Sequence, residues 1–181
     1  MIDSLRCGVF DWPRFAEKGG FYPDDLPPEW RLNYYANAFE SACLPLSALP
    51  IDSELRAEWL DSLPQGFRLS VRVDSTGAEV PPAEALGAAR PGWLIGEGVS
   101  VPPGWTLRRG EDLLWRPDDA VFRPVALLPR ADSLRQCREW IESWLALSDE
   151  PAAATDLWVE AATTTPQQLE ALRQLVELMG L

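Results

Sequence analysis

The side chains that could do chemistry in this 181-residue sequence are few: Asp11 beside Trp12, Arg68 and Arg72 on one alternating run, and Glu160 near the end. The run Phe67–Val73 (FRLSVRV) sets Phe67, Leu69, Val71 and Val73 on one side and Arg68, Ser70 and Arg72 on the other, as the two-residue period of a strand requires. Its apolar side needs helices to cover it. The arginine side then faces either solvent, as on an edge strand, or the inside of a barrel. Two guanidinium groups in a confined interior need an anion or carboxylates opposite them. Arg72 paired with Glu160 is one such arrangement. It suits a site for a small phosphorylated or carboxylated metabolite, and equally a structural ion pair.

Catalytic machinery is harder to find. The chain has no histidine, which excludes Ser-His-Asp and Cys-His arrangements and removes the commonest base for work near neutral pH. Asp11 or Glu160 would have to be retuned by burial to serve instead. No catalytic residue is assigned, and neither a metal nor a cofactor is expected. Cys7, Cys43 and Cys137 are too scattered for a disulfide framework or a zinc knuckle and read as small buried hydrophobes. Cys7 and Cys43, on the first two strands, could be spatial neighbours.

The elements that would position these residues alternate helix and strand. Leu5–Phe10 reads as a strand, followed by a structured loop through Gly19-Gly20 and Phe21-Tyr22-Pro23. A helix opening at Pro27-Pro28 carries an aromatic stripe of Trp30, Tyr34, Tyr35 and Phe39. Ala42–Leu46 is a second strand, with Pro45 marking its early end or a bulge. Asp52 or Ser53 caps the next helix, whose Leu55, Trp59 and Leu63 form the expected core stripe. Residues 75–119 have another texture, with short tryptophan-bearing runs between Pro-Pro-Gly and Arg-Gly turns, and an irregular or antiparallel excursion is expected there. Trp93, Trp105 and Trp115 in that segment read as aromatics closing a barrel end. Beyond it, Phe122–Leu128 and Asp156–Ala161 are strands. Capping boxes at Ser133–Gln136 and Thr165–Gln168 open helices with clear apolar stripes. A connection of Asp-Glu-Pro-Ala-Ala-Ala precedes the last strand. Strand–helix units in succession favour parallel pairing.

The segment Leu32-Asn33-Tyr34-Tyr35-Ala36 through Phe39, then Pro50, Trp59, Pro64 and Phe67–Arg72, resembles the YecE-like family, a domain of unknown function. Gly8, Trp12 and Phe21-Tyr22-Pro23 match that family's opening, so the likeness covers about residues 5–74. It implies an α/β fold of the TIM-barrel type. The departures imply a shortened barrel with an eroded polar face. Cys43 and Pro45 stand where the family strand has Glu and Asn, Asp11 replaces a Gly, Arg72 replaces a Lys, and the family's His is missing. The fold expected is an incomplete or distorted (β/α) TIM-like barrel with mostly parallel strands, in a single domain spanning 1–181.

Sixteen basic residues against twenty-eight acidic ones give a net charge of −12, which argues against a nucleic-acid partner. No run is long and apolar enough for a membrane span, and the first residues lack a signal-peptide pattern, so a cytoplasmic protein is expected. The ligand-binding candidates are Asp11, Trp12, Arg68, Arg72 and Glu160. The class expected is a non-catalytic or degenerate barrel acting as a binding or interaction domain, self-associating as a homodimer or held by a protein partner. The alternative is an enzyme or binder of a small anionic metabolite at the carboxyl ends of the strands.

Overall fold

A computed structural model describes residues 5–86, 90–148 and 155–181. Its strands are β1 (Arg6–Phe10), β2 (Ser41–Pro45), β3 (Arg68–Arg72), β4 (Arg90–Ile95), β5 (Thr106–Arg108), β6 (Leu114–Trp115), β7 (Val125–Leu128) and β8 (Asp156–Glu160). They form one sheet in the order β5-β4-β3-β2-β1-β8-β7-β6, with every pairing parallel. Written as a ring, this is the consecutive order of an eight-stranded barrel with the β5–β6 pairing left open. The sheet curls far enough that Ile95 of β4 and Val125 and Leu127 of β7 share one apolar cluster. The result is a half-barrel, an incomplete TIM-like barrel.

Helices α1 (Trp12–Ala16) and α2 (Arg31–Ala36) connect β1 to β2, and α3 (Ser53–Asp61) connects β2 to β3. Helix α4 (Gly110–Leu113) lies between β5 and β6, α5 (Leu134–Leu145) between β7 and β8, and α6 (Pro166–Leu178) follows β8. The caps explain where the longer helices begin. Asp52 accepts the amides of Glu54 and Leu55 at the start of α3. Thr165 and Gln168 form a reciprocal capping box with Pro166 at the first position of α6. Ser133 caps α5 through the Gln136 amide, but the Gln136 side chain turns to Glu139, so only half of the expected box forms.

Alternation on the strands builds two apolar layers. Cys7, Val9, Ala42, Leu44, Leu69, Val71, Leu157 and Val159 face outward against the helices. There Tyr35 of α2 accepts a hydrogen bond from the Val9 amide and donates one to the Ser41 carbonyl, tying helix to sheet. The opposite parity, Phe10, Cys43, Ile95, Leu127 and Trp158, fills the interior. Cys7 and Cys43 are therefore on opposite faces of the sheet and are not neighbours.

The described part of 75–119 is irregular, as its composition suggests, but its described strands do not run antiparallel: β4 pairs parallel with both β3 and β5. A parallel crossover usually needs about a dozen residues, and only 109–113 separate β5 from β6. The single turn of α4 makes the whole return, and its fully buried Leu113 joins the interior cluster. Two expected stripes are buried only in part, with Leu63 and part of Trp59 enclosed as expected. Trp30 and Tyr34 are exposed while Tyr35 and Phe39 are buried, and α3 buries Leu60 while leaving Leu55 exposed. The connection through 149–154 lies outside the described residues.

Candidate functional site

The half-barrel has two mouths, and β3 puts one arginine at each. Arg68 begins β3 at the amino end; Arg72 closes it at the carboxyl end. At the amino mouth, Arg68 Nη1 donates to Asp156 Oδ2 at 3.1 Å, across the interior from β3 to β8. Asp156 is fully buried, so the pair sits where screening is weak and losing one partner is expensive. The second Asp156 oxygen, Oδ1, and Arg68 Nε are enclosed without a hydrogen-bond partner among the described residues. Beside the pair, Trp158 Nε1 donates to Ser41 Oγ at 3.0 Å. This bond runs from β8 to β2 over β1, where Gly8 stands. A Cβ on Gly8 would lie 2.0 Å from the Ser41 carbonyl oxygen, so the residue has no room for a side chain.

The carboxyl mouth is closed from below. Phe10, Cys43, Ile95, Leu113, Leu127 and Trp158 occupy the interior beneath it. The Arg72 guanidinium lies 5.2 Å from the Phe10 ring centroid and donates from Nε and Nη2 to Asp74 at 2.8 and 3.3 Å. Its partner is thus a rim carboxylate two residues on, and not Glu160. Glu160 faces Arg116 Nη1 at 3.5 Å. Asp11, at φ 67°, holds Arg14 at 2.9 Å. Trp12 turns away from the mouth into the outer layer and packs edge-on against Trp59 at 6.1 Å. A cleft of about 410 Å³ opens beside Arg72, over the ends of β3 and β4.

These positions sort the five candidates. Arg68 is inside the barrel with an acidic partner, the interior one of the two placements the alternation left open, but at the mouth opposite to the one where such barrels place their sites. Arg72, Asp11 and Glu160 share the carboxyl rim, each in its own ion pair. Trp12 belongs to the outer core. The sequence reading missed Asp156 and Trp158, although the run Asp156–Glu160 (DLWVE) carries both on the Glu160 face by the same alternation that exposed Arg68 and Arg72.

Burial pushes all three thiols up, Cys137 to about 11, so none is a ready thiolate. Among the described residues, no group of three His, Cys, Asp or Glu side chains is placed to hold a metal ion, and no helix is long and apolar enough to cross a membrane. No family model, curated protein or solved structure matches the chain.

Proposed function

We propose that this chain is a degenerate cytoplasmic barrel, a shortened relative of the YecE-like family, that binds a ligand or partner without turning it over. The observation that carries this reading is the filled interior. Phe10, Leu113 and Trp158 occupy the space below the carboxyl mouth where a barrel enzyme would hold its reacting groups. The rim acids Asp11, Asp74 and Glu160 are each engaged by an arginine, which ties up the carboxylates that follow β1, β3 and β8. Trp30, Ile51, Leu55 and Val121, all more than half exposed, support a protein contact, and a homodimer or lasting heteromer is the expected state. Light scattering of the purified chain tests that part; a strict monomer at high concentration counts against it.

A second reading, an enzyme or binder acting on a small phosphorylated or carboxylated metabolite, draws support from Arg72, whose guanidinium is part-exposed beside a cleft. Incubation with a panel of phosphorylated and carboxylated metabolites, followed by mass spectrometry, separates the two. Unchanged metabolites are the result expected. Turnover lost in Glu160→Gln would establish an enzyme.

A further inference from the structure

The cleft beside Arg72 has a charge pattern that narrows what can occupy it. Its walls include Arg72, Ser75, Thr76, Gly96, Glu97 and Gly110. The Arg72 head rests over Phe10 and pairs with Asp74 through its Nε–Nη2 edge, which leaves Nη1 without a hydrogen bond among the described residues. Glu97, exposed on the β4 side, takes part in no ion pair or hydrogen bond among the described residues. A bare anion at Arg72 would meet the charges of Asp74 and Glu97, and a bare cation at Glu97 would meet Arg72. A molecule carrying both charges satisfies both walls. Charge-assisted bonds of this kind are the strong ones, and a volume of about 410 Å³ lies within the range of small-molecule sites.

Resting on the reading of this chain as a binding barrel, we infer that the cleft takes a small zwitterion of the α-amino acid class, its carboxylate on Arg72 and its ammonium on Glu97. The hydroxyls of Ser75 and Thr76 supply polar contacts to the same head group. Glycine at 96 and 110 keeps the walls low, so a side chain on the ligand projects outward over the rim.

The test is calorimetric titration of the full chain with the twenty standard α-amino acids, with acetate and ethylamine as half-ligands. At least one amino acid is expected to bind, and both half-ligands to bind at least about ten-fold more weakly, the worth of one lost charge-assisted hydrogen bond. Glu97→Gln changes an exposed residue with no partner among the described residues and leaves the fold intact; it is expected to lower the amino-acid affinity by the same factor while acetate binding stays equal or tightens, because the repelling charge is gone. Arg72→Lys, which keeps the charge but loses the planar fork, should weaken both. No amino-acid binding, acetate binding as tight as the amino acid, or unchanged affinity in Glu97→Gln each overturns the inference while leaving the non-catalytic reading in place. Conversion of a bound amino acid would overturn the non-catalytic reading and leave the cleft's ligand class standing.

Discussion

Arg68 and Arg72 stand four residues apart on the same face of one strand, yet the two mouths use them differently. At the amino mouth, Arg68 reaches across the barrel to a carboxylate with no solvent contact, and Trp158 reaches Ser41 alongside it. Both interactions join strands that are not neighbours in the sheet. They hold the curl, which no β5–β6 ladder closes. At the carboxyl mouth, every ion pair is local or part-exposed: Asp74 is 62% exposed and Arg116 52% exposed. Pairs of that kind contribute little stability and can exchange one partner for another. The difference teaches that the enclosed pair is bound to the curl of the sheet, while the pairs at the other end are free to rearrange without disturbing it.

That contrast can be broken most forcefully at Trp158. Replacing it with alanine empties the centre of the interior and removes the Ser41 bond, and a loss of about 4 kcal/mol is expected in chemical denaturation. Asp156→Ala leaves Arg68 without its partner and should cost about 3 kcal/mol. An effect below about 1 kcal/mol would mean that the amino mouth is no more important than a surface pair.

A smaller effect at the same end depends on pH. Burial holds Glu40 above its ordinary range, against the hydrogen bond from the Cys7 amide. A carboxyl group raised in the folded state binds its proton more tightly there than in the unfolded chain. Its contribution therefore favours folding at low pH and is lost as pH rises from the ordinary glutamate range through the raised value. Glu40→Gln keeps an oxygen for the Cys7 amide and should remove that part of the slope when denaturation is followed from about pH 4 to pH 7. A slope identical to that of the parent would exclude Glu40 as its source. The smallest effect is expected at the rim, where Asp74→Ala should change stability by less than about 1 kcal/mol. The same substitution would leave Arg72 more open to an added carboxylate.

Much of the scaffold was legible in the residues. The alternation of FRLSVRV set the arginine face before any fold was known, and the Thr165–Gln168 box with Pro166 marked the start of α6. The direction of β4 and β5 was not legible, because strands of three to six residues between Gly and Pro turns carry no signal for parallel or antiparallel pairing. Nor was the burial of α3. Its Leu55, Trp59 and Leu63 keep helical spacing, but the helix meets the sheet through Leu60, so Leu63 is buried and Trp59 partly buried while Leu55 is left exposed. The partners of Arg72 and Glu160 were unreadable for a related reason. Any carboxylate near a strand end is a candidate until the loops are placed, and Asp74 and Arg116 won by proximity.

The sequence alone determined the faces of the strands, the starts of α3, α5 and α6, and the absence of histidine-based chemistry, because each depends on residue type and local period. Helix α2 begins at Arg31, after a 3-10 turn over Pro28–Trp30, and not at the Pro27-Pro28 pair. Tertiary structure decided which arginine is enclosed. Curling brings β3 opposite β8, and the single turn of α4 carries Leu113 into the interior. Those distances depend on the closure of the whole sheet, and no local pattern encodes them.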